Sequence, residues 1–110
     1  AKRLDSADSL IEILMHRDAR ARVMLGVLRH AEGFGERTDA GIRLRLTAED
    51  LAREVAVEVQ TVEEVMHRLR RLKLASTEAG GEIVVEDVER LGEFLEFLKA
   101  AQKFDRESTA

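Results

Sequence analysis

The stretch that decides the fold is Leu46–Leu74, LTAEDLAREVAVEVQTVEEVMHRLRRLKL. Thr47, with Asp50 three residues later, forms a capping-box-like pattern, which predicts a helix that begins there and runs to about Val55. A tight turn at Ala56-Val57 follows, and the apolar residues beyond it recur at the spacing of a second helix. Two helices joined by a short turn are the layout of a helix-turn-helix, whose second helix lies in the major groove of DNA.

The segments on either side extend this unit into a winged helix. Residues 42–46, IRLRL, alternate apolar and basic side chains, as a short half-buried strand does. Residues 75–87 are typical of a hairpin, because the turn signal Gly80-Gly81 precedes a β-branched strand. A hairpin directly after a helix-turn-helix is the wing of a winged helix, and it usually touches the neighbouring DNA backbone.

The chain is therefore predicted to be mostly α with a small β-hairpin wing: a winged helix-turn-helix plus an extra C-terminal helix. Ahead of the strand we expect one long helix, or two helices that break near Arg17-Asp18, and then a loop at residues 33–41. A single domain is expected at residues 1–104, with the helix-turn-helix at about 47–74, the wing at about 75–86, the extra helix at about 87–104, and a tail at 105–110.

Composition limits the classes of function. The 110 residues carry a net charge of -4, and 45% of them are apolar and 36% charged, which is typical of one folded domain. There is no cysteine, and His16, His30 and His67 lack metal-ligand spacing, so we expect no metal site and no cofactor. No phosphate-binding loop or nucleophile motif is present, so we do not expect an enzyme. No apolar run is long enough to span a bilayer, and a cytoplasmic location is expected.

A set of residues between 19 and 85 carries a resemblance to a known family. They are Arg22, Leu28, Ala31-Glu32, Phe34-Gly35-Glu36-Arg37, Gly41-Ile42-Arg43-Leu44, Leu46 to Ala52, Thr61-Val62, Leu69, Leu72, Leu74 and Gly81 to Val85. In this spacing the chain resembles the C-terminal DNA-binding domain of the CRP/FNR-type transcription regulators. The resemblance implies double-stranded DNA as the partner. It also implies a preceding sensor domain and dimer helix, and residues 1–16 are a candidate for the end of that helix.

Two departures from the family's pattern concern the turn and the reading end. The family usually has Gly in the turn, where the backbone favours a left-handed conformation, and Ala56 would cost roughly 1 kcal/mol in that geometry. The family's recognition helix opens with a Ser-Arg-Glu-Thr-Val pattern, and another Arg often follows. The corresponding segment here is Glu58-Val59-Gln60-Thr61-Val62, followed by Glu63-Glu64. Both arginines are missing, although arginine to guanine is the commonest specific base contact.

These departures leave two hypotheses of function open. In the first, the domain of a transcription regulator binds DNA through an atypical, acidic recognition helix. In the second, a degenerate winged helix associates with a protein, and a basic partner would suit its acidic patch. The predicted contacting residues are the same in both hypotheses: Glu58, Val59, Gln60, Glu63, Glu64, His67, Arg68 and Arg71.

The extra C-terminal helix offers a further surface. The candidates for a contact with a partner helix or with a second copy in a homodimer are Leu91, Phe94, Phe97 and Leu98. The alternative is ordinary packing of this helix on the N-terminal one, whose Leu10, Ile11 and Leu14 also need cover. Gly92 lies inside the helix at a cost of roughly 1 kcal/mol relative to Ala, which indicates close approach of another element.

Overall fold

The computed structural model describes residues 10–108, and it describes side chains for residues 10–101. In chain order the elements are α1 (Leu10–Leu14), α2 (Ala19–Gly33), β1 (Glu36–Thr38), β2 (Gly41–Thr47), α3 (Ala48–Glu54), α4 (Val59–Arg71), β3 (Ala75–Thr77), β4 (Glu82–Val85) and α5 (Val88–Ser108). Helices predominate, and the strands form one small antiparallel sheet. The fold class expected from the sequence is confirmed. The expectations for residues 1–9 and 109–110 lie outside the described residues.

The predicted capping box begins α3. The Thr47 hydroxyl oxygen accepts a hydrogen bond from the Asp50 N–H, and the Asp50 carboxylate accepts one from the Thr47 N–H. The bond from the Thr47 backbone lowers the pKa of the Asp50 carboxyl below its ordinary value, and the nearby Arg53 guanidinium acts in the same direction. Because these two N–H groups at the start of the helix find their partners within three residues, the start of α3 could be located from sequence alone.

The sheet has the strand order β1-β2-β4-β3. Its centre is the antiparallel pair of β2 and β4, in which Ile42 faces Val85, and β3 with β4 forms the predicted wing. The expectation of a loop at residues 33–41 is wrong for Glu36–Thr38, which forms the edge strand β1 against β2. A three-residue edge strand has no periodicity of its own to read, because its hydrogen bonds are supplied by the neighbouring strand.

The N-terminal part consists of two helices, so the alternative with a break near Arg17-Asp18 is confirmed. The Asp18 carboxylate caps α2 by accepting a hydrogen bond from the Arg20 N–H. At the other end of the chain, α5 packs on α2 and continues to Ser108, beyond its expected end at about residue 104. The expectation of a close approach at Gly92 is wrong, since a Cβ atom there would meet no neighbouring atom within 4 Å.

The turn between α3 and α4 keeps a left-handed backbone although it lacks glycine. Ala56 has a φ of 59°, and the Val57 N–H closes the turn by donating to the Ala52 carbonyl at 3.0 Å. We expect Ala56→Gly to raise the free energy of unfolding by about 1 kcal/mol, because glycine adopts this conformation without a steric penalty. Urea denaturation measures the change. Ala79→Gly, at an exposed wing alanine without a positive φ, is the control, and equal effects of the two substitutions would contradict the explanation.

Candidate nucleic-acid interface

The helix α4 occupies the place of a recognition helix. One side of it is buried against α2, α3 and β3 through Val62, Val65, Met66 and Leu69. Val59 at its start is half-buried and packs on the same core. Glu58 stands at the N-cap position but makes no side-chain hydrogen bond to the helix, so its carboxylate stays exposed at the reading end. The remaining sides of α4 are those that a ligand can reach.

Two of the predicted contact residues also contact side chains of neighbouring helices. The Glu64 carboxylate lies 3.7 Å from the Arg20 guanidinium of α2, and both side chains are exposed. The Arg68 guanidinium lies over the Phe94 ring of α5, 5.7 Å from its centroid, in a cation–π contact. Arg20 therefore offsets the charge of one of the two adjacent carboxylates, and Arg68 is directed to α5 rather than outward.

The outward side of α4 presents Gln60, Glu63, Glu64, His67, Arg70 and Arg71. Helical spacing of three and four residues places these exposed side chains on one side of the helix. Apart from Glu64, which pairs with Arg20, none of them has an ion-pair partner within the part of the chain whose side chains are described. Arg70 is not among the predicted contact residues, although its spacing of three from His67 places it on this side of the helix. The face thus carries two carboxylates in its first half, one of them paired with Arg20, and two guanidinium groups in its second.

The wing contributes no comparable cation. Arg43 on β2 has its guanidinium within 3.4 to 3.9 Å of three carboxylates, those of Glu36, Glu78 and Glu82. Its Nε atom is buried, and the Glu78 oxygen at 3.4 Å is not aligned for a hydrogen bond. Arg45 lies 3.4 Å from the same Glu36 carboxylate. The two strand arginines thus lie beside acidic groups around the wing, whereas Arg70 and Arg71 of α4 have no such partner among the described side chains.

The four candidates on the C-terminal helix are placed very differently from one another. Leu91 is completely buried in the core, and Phe94 and Leu98 are half-buried against it. The Phe97 ring has an exposed fraction of 67%. Burial of Leu91 leaves Phe97 as the member of this group with a ring free to meet another molecule, so a dimer or partner contact through this helix stays a prediction that rests on Phe97.

Arg22 positions the helix-turn-helix and was identified only as part of the family resemblance. Its Nε atom donates to the Val55 carbonyl at 3.0 Å and its Nη2 atom to the Ala56 carbonyl at 3.3 Å. Its Nη1 atom donates to the carbonyls of His16 at 2.6 Å and Arg17 at 3.3 Å. One guanidinium thus joins the end of α3 to the connection between α1 and α2, where a positive charge also complements the helix dipole.

A helix-turn-helix that ends in a β-hairpin, with its second helix exposed, defines the winged helix-turn-helix class of DNA-binding modules. The chain belongs to the Crp-like helix-turn-helix domain family, whose model matches residues 10–94. The domains of this family are DNA-binding parts of transcription regulators and are not enzymes. No helix in the described part of the chain is long and apolar enough to cross a membrane.

Solved structures of regulators have the same fold. A CRP/FNR-family transcriptional regulator of Thermus thermophilus is 25% identical, with a TM-score of 0.65, over 79% of this chain and 45% of that one. A mutant of CooA from Carboxydothermus hydrogenoformans is 24% identical, with a TM-score of 0.67, over 78% of this chain and 40% of that one. The chain thus spans less than half the length of these regulators. No curated protein sequence matches it significantly.

Proposed function

We propose that this domain binds double-stranded DNA by placing α4 in the major groove. The observation that carries the proposal is the outward side of α4, where Arg70 and Arg71 have no ion-pair partner among the described side chains while Arg20 offsets the charge of Glu64. The start of α4 therefore repels phosphate less strongly than its sequence indicates. The two arginines would hold phosphates, and Gln60 and His67 would lie toward the base edges.

The composition of this face determines what kind of binding to expect. Gln pairs with adenine through two hydrogen bonds, so a preference at the Gln60 position would be for A·T pairs. Glu63 repels phosphate, which lowers the affinity of one isolated domain. Specific binding would then need two domains on two half-sites, as in a dimeric regulator of which this chain is one part. Such a function would place the protein in the cytoplasm.

Fluorescence anisotropy with a mixed-sequence duplex tests the proposal. We expect salt-sensitive binding with a Kd of about 1–100 µM, the usual range of non-specific binding. Arg71→Gln should weaken binding about three- to tenfold and reduce the salt slope by about 1, because one phosphate contact is lost. Arg37→Gln removes the same charge from β1, at the far edge of the sheet from β3, and is the matched control. Absence of binding at low salt, or equal losses in the two variants, would contradict the proposal.

A second candidate function is association with a basic protein. It is favoured by the carboxylates of Glu58 and Glu63, which are exposed and unpaired within the described side chains at the start of α4. The double change Glu63→Arg with Glu64→Arg separates the two candidates. It should strengthen DNA binding from a measurable baseline if the domain binds DNA. If the domain instead binds a basic protein, no DNA baseline exists and the change disrupts the protein complex.

A further inference from the structure

A cavity lies directly behind the recognition helix. It has a volume of about 220 Å³ and is enclosed by the α1–α2 connection, α2, α4 and α5. Its apolar wall includes Met24, Leu95 and Leu98, and its polar wall carries three cationic side chains, each from a different helix: Arg20, Arg68 and Lys99. The family resemblance implies no role for these three cations, and the proposed contact with DNA does not use them.

The charges of the cavity favour an anion. Asp18 also lines it, but its carboxylate caps α2 through the Arg20 N–H. Lys99 lines the cavity, and its ammonium group lies 3.8 Å from the carboxylate of Glu96, which does not line it. Guanidinium groups bind carboxylates through paired charge-assisted hydrogen bonds, and small-molecule sites are mostly apolar with a few convergent polar groups.

We propose that this cavity binds a small amphipathic carboxylate, with the anionic head between Arg20 and Arg68 and the hydrocarbon body against Met24, Leu95 and Leu98. The volume admits a short aliphatic or single-ring acid. A neutral molecule of the same shape would gain no charge-assisted hydrogen bond from the cations. A cationic one would be repelled by them, so the site selects by charge as well as by shape.

Occupancy of the cavity would act on the recognition helix, and this step rests on the proposed function. Arg20 lies 3.7 Å from Glu64, and Arg68 belongs to α4 itself. A carboxylate that recruits the Arg20 guanidinium removes the partner of Glu64 and leaves a second uncompensated negative charge on the helix. DNA affinity is therefore expected to fall about three- to tenfold when the site is filled, since like charges at an interface are repulsive. The ligand would thus be an effector that lowers the affinity of the domain for DNA.

Hexanoate is the probe that tests the site, and binding is followed by amide chemical shifts in solution. We expect saturable shifts confined to the amides around Ala21, Leu25 and Leu95, with a Kd on the order of 1 mM for so small a ligand. Hexanol and hexylammonium, which keep the chain but not the negative charge, should bind at least about tenfold more weakly. Equal binding of hexanol would reduce the site to an apolar cavity, and the absence of saturable shifts would overturn the proposal.

Substitutions of Arg20 and Arg68 test whether these two residues hold the carboxylate of the ligand. Arg68→Gln and Arg20→Gln should each weaken hexanoate binding about tenfold, whereas Arg37→Gln, far from the cavity on β1, should leave it unchanged. Ala21→Met fills the cavity from its wall and should abolish binding in a protein that its spectrum shows to be folded. Unchanged affinity in both arginine variants would overturn the placement of the anion.

DNA anisotropy with and without saturating hexanoate then tests the coupling separately. A fall in affinity supports the effector role, and unchanged affinity with the site filled overturns it. If the domain binds no DNA at all, the proposed function fails while the shifts still decide whether the cavity is a site. The two failures are therefore distinguishable.

Discussion

Gly41→Ala is expected to lower the free energy of unfolding by about 3 kcal/mol or more, a large part of the stability of a domain of this size. Gly41 begins β2 with a φ of 134°, a backbone conformation that residues with a side chain rarely adopt. A Cβ atom there would lie 2.3 Å from the Val85 carbonyl oxygen. That oxygen belongs to the backbone of β4, so the clash cannot be relieved by rotating a side chain, and the central strand pair has to separate.

Gly80→Ala is the control for this prediction. Gly80 lies in the wing turn without a positive φ, and a Cβ atom there would meet nothing within 4 Å. We expect this change to alter stability by no more than about 0.5 kcal/mol, as surface substitutions usually do. Urea titrations followed by circular dichroism measure both variants. Similar midpoints for the two would show that strain and clash at Gly41 are relieved locally and that the strand pair does not depend on this glycine.

The elements that sequence reasoning located are those specified by neighbours in the chain. The start of α3 follows from Thr47 and Asp50, which bond to each other three residues apart. The buried stripe of α4 follows from a 3.6-residue repeat, and the wing from Gly80-Gly81. The left-handed turn at Ala56 is expected from the family resemblance alone, because an alanine in a sequence does not by itself indicate a positive φ.

The features that escaped prediction depend on residues far apart in sequence. The pair of Arg20 and Glu64 spans 44 positions, and the contact of Arg68 with Phe94 spans 26, so neither leaves a pattern in one sequence. The same holds for the edge strand β1. Leu91 was grouped with Phe97 as a contact residue because an apolar stripe looks alike whether it packs inward or binds a partner, and only the fold separates the two.

These long-range contacts change the reading of the acidic helix. Counted along the sequence, Glu58, Glu63 and Glu64 precede the basic residues and indicate repulsion from DNA. On the surface, Arg20 offsets the charge of Glu64. Arg43, in turn, lies beside the carboxylates of the wing. The outward side of α4 carries one unpaired carboxylate, that of Glu63, and two unpaired guanidinium groups among the described side chains. Net charge per segment is therefore a poor guide to the charge of a surface, because a ligand meets side chains that come from several helices.

Arg22→Met is expected to lower the free energy of unfolding by about 2 to 3 kcal/mol, the cost of leaving carbonyl groups without their charged donor. Methionine keeps the apolar stem of the side chain but donates no hydrogen bond. The carbonyls of Val55 and Ala56, at the end of α3 and in the left-handed turn, then lose the partner they have in α2. Because this turn fixes the angle between α3 and α4, we also expect faster amide exchange at Val57, whose N–H closes the turn.

Arg53→Met is the control that shows how much unfolding free energy is lost when an exposed arginine is replaced by methionine. Arg53 is exposed on α3 and its guanidinium lies 2.8 Å from the Asp50 carboxylate, an exposed pair of the kind that contributes little to stability. We expect a loss of no more than about 0.5 kcal/mol for this control. Arg22→Lys should fall between the two, since an ammonium group can reach one carbonyl cluster but not bridge both sides of the turn. If Arg22→Met costs no more than Arg53→Met, the four hydrogen bonds of Arg22 do not hold the recognition helix in place, and its orientation must come from the apolar contacts of Val62, Val65 and Leu69 alone.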